Sequence, residues 1–596
     1  MAPPILNRLV DFGARLGRRV PVLLRATSRL DESTVLMAFA VAIGSAVGLA
    51  VVLFYTLIDV TQAVALSAAA KMTGVGQLSI VVVVFAGLSI AFLLVRHLAG
   101  DSDGENIPDV MRAVVKRGGH LNEWRIAVKT AAAGILIGTG GAVGAEGPVA
   151  VAGAALGSRF GRVVRSSGTR LTVLVACGSA AGISAAFNAP IAGVFFSLEK
   201  ILGTFAVGAF PPVLVASVIS AAISRAAFGN SPVIEIPTEY AMSSVGELWL
   251  YAALGIAAGV VSVLYTRGVY GTVDQMAKLR SRWLQIAVAA VVVGTLNIVF
   301  RAALWGRGHE SLTLGMIGQR EAYFLVALAF AKLVATSFTL ATARAGGVFT
   351  PALFIGATLG GGLAVAAEAA LPTWAIRPEA FALAGMAGLV AGATHAPLTA
   401  IMIVFEMSGD YALILPIMLT AAISYITAKR LYPESVYSAW LTRRGERIGY
   451  GRDISVLEQV TVREVYRPNP DVIAEDASLP GILAALGRST QTEFPVLDAD
   501  GRLVGMIAYN DIRTVLGQVD SLAPVLVAAD IANAEAERVT PADSLATALR
   551  RFSVRGIHAM PVVEESDEGK LLGMISRHEV FAAYDRELLR RSPDTE

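Results

Sequence analysis

The chain has 596 residues, 55% of them hydrophobic and only 16% charged, with a mean hydropathy of +0.62 and 58 glycines. Soluble domains are seldom this apolar, and glycine is commoner in membrane helices than in soluble ones. A formal net charge of +2 speaks against a nucleic-acid partner, and a single cysteine, Cys177, excludes internal disulfides and cysteine-rich metal sites and reads as a small core residue.

Residues 1–30 carry arginines at 8, 15, 18, 19, 25 and 29 and few acids. No small-residue cleavage site follows, so the segment reads as a cytosolic flank under the positive-inside rule rather than as a signal peptide. An amphipathic helix lying on the membrane surface fits the same placement. Residues 31–440 form the membrane region. Its apolar runs include Thr34–Ile58, Leu78–Val95, Leu171–Leu198, Ile201–Ser224, Leu248–Thr266, Gln285–Phe300, Ala345–Ala367 and Tyr411–Ala428. A hydrocarbon core takes roughly 20 apolar residues to cross. From "LTRRGERIGYGRD" (441–453) onward the composition is that of a soluble domain, and 441–460 reads as a linker.

Two stretches of the membrane region repeat. "GAEGPVAVAGAALG" (144–157) aligns with "GVFTPALFIGATLG" (347–360), matching Pro148 with Pro351 and three glycines with three. "AFNAPIAGVFFSLE" (186–199) aligns with "ATHAPLTAIMIVFE" (393–406), each with a glutamate nine positions after its proline. Glycine-rich faces for close helix packing account for the glycines but not for the matched prolines. Corresponding interrupted segments in two halves point instead to a transport site at the bilayer midplane.

Proline suits the first turn of a helix, so Pro148 and Pro351 are each expected to begin one, with the glycines before them leaving N–H groups to present. Two helix N-termini aimed at one point bind an anion without a full cation, and neutral donors also let it leave. Glu146 stands two residues before the first of these prolines. Ionised, its carboxylate takes the anion's place; protonated, it loses that attraction and swings away. It therefore reads as a gate and a proton carrier, where a soluble protein would offer only a helix-start acid.

These residues resemble the CLC family of chloride channels and chloride/proton antiporters. "GAEGP" (144–148) is similar to the family's gating-glutamate motif GREGP, "GGVFTP" (346–351) to GxFxP, "VYSAW" (436–440) to the stretch bearing the pore tyrosine, and "GENIP" (104–108) to GSGIP. The resemblance implies a multi-pass helical membrane domain with an inverted repeat, working as a homodimer with one pore per subunit. It implies that Val348 and Phe349 give N–H groups to a central chloride, that Ala145, Glu146 and Gly147 line the outer path, and that Tyr437 closes the inner side.

The chain departs from the pattern in four places. Glu105 aligns with the serine that donates to the anion, Asn106 with a glycine, and Ala145 with the motif arginine. Lys200 stands where antiporters place their inner proton-transfer glutamate, which weakens the case for coupled proton flow. Its bland role is a lysine snorkelling from a helix end. Glu199 and Glu406 are expected to bond helix ends or face the cytosolic vestibule.

Beyond the linker, "FPVLDADGRLVGMIAYNDI" (494–512) parallels "MPVVEESDEGKLLGMISRHEV" (560–580), each a β-β-α unit. They resemble tandem CBS domains, at 461–517 and 527–587, a module that associates and sometimes binds adenine nucleotides. The resemblance puts ribose hydroxyls on Asp511 or Glu579, with Ser576 as the usual hydroxyl residue; Ala508 lacks it.

The expected function is passage of chloride or a similar small anion across the cell membrane, channel-like or weakly coupled to protons, with both termini cytosolic. A coupled antiporter using Glu105 as a substitute proton station is the alternative, and a CBS-regulated cation transporter is a third reading. No metal cluster or nucleophile–histidine set suggests catalysis, and no cofactor is required beyond the nucleotide the CBS pair would take.

Overall fold

The structure, a computed structural model, describes residues 32–591 apart from 101–105, 230–244, 306–319, 447–456, 458–459, 513–525 and the single positions 73, 75, 167, 344, 373, 375, 490, 510 and 556. The arginine-rich start and Glu105 thus lie outside the described residues. The chain divides into two compact units, Met1–Ile448 and Gly449–Glu596.

The first unit is helical. Nine helices among the described residues are long and apolar enough to cross a membrane, from Thr34–Lys71 to Tyr411–Leu431. The apolar run read as Leu171–Leu198 is in fact two helices. Gly168–Phe187 ends at Asn188, whose φ of 54° is left-handed, and Pro190–Phe196 starts afresh with proline in its first turn. The repeat mate does the same: Pro378–Thr394 ends at His395, φ 55°, and Pro397–Ser408 follows. A left-handed residue stops a helix, and short polar side chains such as asparagine tolerate it best.

The repeat is also visible in packing. Helix Glu146–Val163 crosses Gly168–Phe187 so closely that a Cβ at Gly153 or Gly178 would run into the other's carbonyl. Phe349–Ala370 crosses Pro378–Thr394 in the same way at Gly356 and Gly385. Close approach of this kind is how helices associate where lipid offers no hydrophobic drive.

The paired glutamates bond helix starts, each in the opposite half. Glu406 accepts from the N–H groups of Ile191 (3.0 Å) and Ala192 (2.7 Å), in the first turn of Pro190–Phe196. Glu199 accepts from the N–H (2.9 Å) and hydroxyl (2.6 Å) of Thr399, in the first turn of Pro397–Ser408. Donors at a helix start have no partner within the helix, and a carboxylate suits the positive end of its dipole.

The second unit contains two three-stranded sheets. In one, β2 (Ile473–Ala474) runs parallel to β3 (Glu493–Leu497), which is antiparallel to β4 (Leu503–Ala508). In the other, β6 (Asp567–Ser576) lies between β1 (Arg467–Pro468) and β5 (Ala559–Glu564), antiparallel to both. The second hairpin feeds the helix Arg577–Arg591, as the β-β-α pattern predicts. Arg502 in the first hairpin turn binds both carboxylate oxygens of Asp567 in the second, at 3.0 and 2.7 Å.

Candidate functional site

The site begins where the two glycine-rich stretches meet. Gly144 and Gly347 form an isolated antiparallel bridge, with Gly144 N–H donating to the Gly347 carbonyl at 2.9 Å and Gly347 N–H to the Gly144 carbonyl at 2.8 Å. This corrects one expectation. The N–H groups of these two glycines are spent on each other and are not presented to a ligand. Gly346 just before has φ 115°, a conformation closed to side chains, which lets the chain turn into the bridge.

From the bridge both chains enter helices, at Glu146 and at Phe349. The prolines fall at the third helical position rather than the first, still within the turn whose N–H groups lack helical partners. Two N-termini 203 positions apart in sequence, 146 against 349, are thereby brought to one point.

Glu146 lies at that point, 1% exposed. Its Oε1 accepts the Phe349 N–H at 2.6 Å and its Oε2 accepts the Thr350 hydroxyl at 2.6 Å. A side chain at Gly144 or Gly347 would occupy the space of the carboxylate, so the bridging glycines also make its seat. Phe349, expected to serve a central chloride, gives its N–H to the glutamate instead. Thr350 is a site residue the motif reading missed, because GxFxP leaves its position open.

A cavity of about 200 Å³ adjoins the bridge and is lined in part by Asn106, Gly147, Val348 and Tyr437, four of the residues singled out from sequence. Lys129 and Arg282 line it too, and no acid does among the described residues. Two tyrosines of helix Leu248–Ala277 hold nearby carbonyls: Tyr265 donates to Val348 O at 2.9 Å and Tyr270 to Val436 O at 2.5 Å. Carbonyl oxygens bound in this way are less able to repel an anion. Asn106 caps the helix Ile107–Lys116, and its backbone N–H goes to the Asp109 carboxylate at 3.2 Å, within its own turn. Ala145, 3% exposed, precedes the helix Glu146–Val163 and brings no charge.

Lys200 is elsewhere. It lies in a π-helical turn, Ser197–Leu202, is 3% exposed, and donates to the His395 carbonyl at 2.7 Å. It does not snorkel; it completes the end of helix Pro378–Thr394. Its neighbour Glu199 serves the start of the next helix, so adjacent residues bind opposite ends of one turn.

In the second unit, Asp511 accepts the Ala508 N–H at 2.8 Å, and Glu579 accepts the Ser576 N–H at 2.6 Å while pairing with Arg467. Glu579 thus caps the helix Arg577–Arg591, and Asp511 holds the N–H three residues before it in the same way. No group of histidine, cysteine and acidic residues among the described residues has the arrangement of a metal site.

A family model described as voltage gated chloride channel matches residues 86–429, and a CBS domain model matches 462–518 and 527–586. The chain belongs to the CLC family. Its relatives include a ClcB-like protein of Ralstonia nicotianae, 36% identical over 56% of this chain and 79% of the relative. The H(+)/Cl(-) exchange transporter ClcA of Cronobacter sakazakii is 30% identical over 72% of this chain and 93% of the relative. The crystal structure of a eukaryotic CLC transporter shares the fold at a TM-score of 0.62 and 21% identity, covering 91% of this chain and 97% of that one. The protein is therefore a multi-pass membrane transport protein of CLC type with a tandem CBS module. The Gly144–Gly347 bridge joins the two glycine-rich stretches of this CLC protein, and Thr350 sets a hydroxyl beside Glu146.

Proposed function

We propose that each subunit of a homodimer carries chloride, or a similar small anion, across the cell membrane along a path gated by Glu146, with only loose coupling to protons. One observation carries the reading: a buried carboxylate sits at the junction of two helix N-termini, on a backbone N–H that would equally suit an anion. The neighbouring cavity, with two cations and no acid among its described lining residues, favours an anion over a cation. In this reading Glu146 yields its place when protonated or outcompeted, the anion passes the N–H groups of Gly147 and Val348, and Tyr437 bounds the inner side. Asn106 and Ala145 complete the walls.

Loose coupling rests on Lys200. The inner proton station of a CLC antiporter is here an amine committed to the His395 carbonyl. The Cronobacter relative is named for exchange, and the coupled alternative has a direct test. A chloride gradient is imposed on proteoliposomes with no proton gradient, and both ions are followed. Chloride flux with little proton movement is expected. Sustained uphill proton flow at a fixed ratio would establish exchange, and its loss in Glu105→Ser would assign Glu105 as the substitute station.

Both termini are placed in the cytosol with the CBS pair. That pair serves association of the module. An adenine nucleotide bound at Asp511, Ser576 or Glu579 would compete with existing bonds, at Glu579 with the Arg467 ion pair.

A further inference from the structure

We propose that the Thr350 hydroxyl is the latch of the gate: it holds the Glu146 carboxylate in the anion's seat and sets how strongly an incoming anion must compete. The inference rests on the gate reading of Glu146 above. Among the donors on the carboxylate, backbone N–H groups such as that of Phe349 would be there whatever side chains flanked them. The Thr350 hydroxyl is a side-chain choice at one position, and it is almost fully buried.

Position in the helix explains why this hydroxyl is available. Buried threonines inside helices usually donate back to the carbonyl four residues earlier. Thr339, Thr342 and Thr358 do so here, to Ala335, Phe338 and Phe354. Thr350 is the second residue of Phe349–Ala370, so no helical carbonyl stands four residues behind it. Its hydroxyl turns instead to Glu146 Oε2 at 2.6 Å. An ionised carboxylate only accepts, so the hydroxyl must donate, and the bond is of the stronger, charge-assisted kind.

Because the carboxylate and the anion exclude each other, weakening the carboxylate's seat raises the apparent affinity for the anion. Loss of one hydrogen bond to a charged group lowers occupancy of the seat about 10- to 100-fold. The half-saturating chloride concentration falls by up to the same factor.

The experiment reconstitutes the full chain in liposomes and measures chloride efflux against chloride concentration. Thr350→Val keeps the shape and removes the donor, and half-saturation is expected to fall by about 10- to 100-fold. Thr350→Ser, which keeps the donor, returns it towards the wild-type value. In a Glu146→Ala background, itself expected to saturate at low chloride, Thr350→Val adds nothing. Misfolding cannot imitate this outcome, since it reduces flux without raising affinity. If Glu146→Ala behaves as wild type, the gate reading falls. If Glu146→Ala changes saturation and Thr350→Val does not, only the latch falls. An effect of Thr350→Val that persists without the carboxylate would assign the hydroxyl to the anion itself and overturn the proposal.

Discussion

Replacing Glu146 by glutamine removes the charge and keeps the shape. The donors of the seat include the fixed Phe349 N–H and the rotatable Thr350 hydroxyl, each 2.6 Å from a carboxylate oxygen. Glutamine can place its carbonyl on the N–H, and its amide then faces a hydroxyl able to turn and accept. The residue still fits, but two charge-assisted bonds become neutral ones. At roughly 1 kcal/mol lost per bond, the seat weakens by about 2 kcal/mol, or about 30-fold in occupancy. On the proposed gate reading, protonation of Glu146 empties the wild-type seat, and flux is expected to rise as pH falls. In Glu146→Gln no proton-dependent plug remains: flux at neutral pH should approach the wild-type acid value and stay nearly flat with pH. The assay is chloride efflux from liposomes at a series of symmetric pH values. A variant that keeps the wild-type pH profile would show that Glu146 is not the gate and would turn attention to Glu105.

Other predictions follow from packing and charge. Protease added outside sealed, right-side-out vesicles should leave the amino terminus and the CBS pair intact; cleavage of the CBS pair would overturn the proposed topology. Gly385→Ala would press a methyl into the Gly356 carbonyl at the helix crossing, costing about 1–3 kcal/mol, and should lower the thermal stability of the purified protein. An unchanged melting temperature would mean that this crossing is looser than described. The Arg502 guanidinium bonded to Asp567 holds that carboxyl below the usual carboxylate range, so the link between the two hairpin turns is present at neutral pH and fades as pH falls through the lowered value. Hydrogen exchange at the Gly569 amide, which also bonds Asp567, should quicken in Arg502→Gln at neutral pH relative to wild type; equal rates would refute the link.

Much of this arrangement was legible because the chain states it twice. Matched prolines in the repeated stretches marked helix starts. Those features are local, set within a turn or two. Less legible was which donor meets which acceptor. The Gly144–Gly347 bridge, the bond from Phe349 to Glu146 and the hydroxyl of Thr350 all depend on how distant segments meet. Lys200 shows the same limit. Its charge suggested snorkelling, yet the π turn carries the amine inward to a carbonyl of another helix. The CBS acids fit both readings, because a cap and a ribose contact ask for the same residue at the same place.

The exchange of glutamates between the halves bears on how the chain is made. The helix Pro190–Phe196 finds its capping carboxylate only in Glu406, more than two hundred residues later, and Pro397–Ser408 finds its own in Glu199. During synthesis the first half must therefore wait in the membrane with a helix start lacking its carboxylate until the second half arrives. Each half is an incomplete product by itself and a folding template for the other. Two fragments cut between the halves should accordingly do together, in one membrane, what neither does alone.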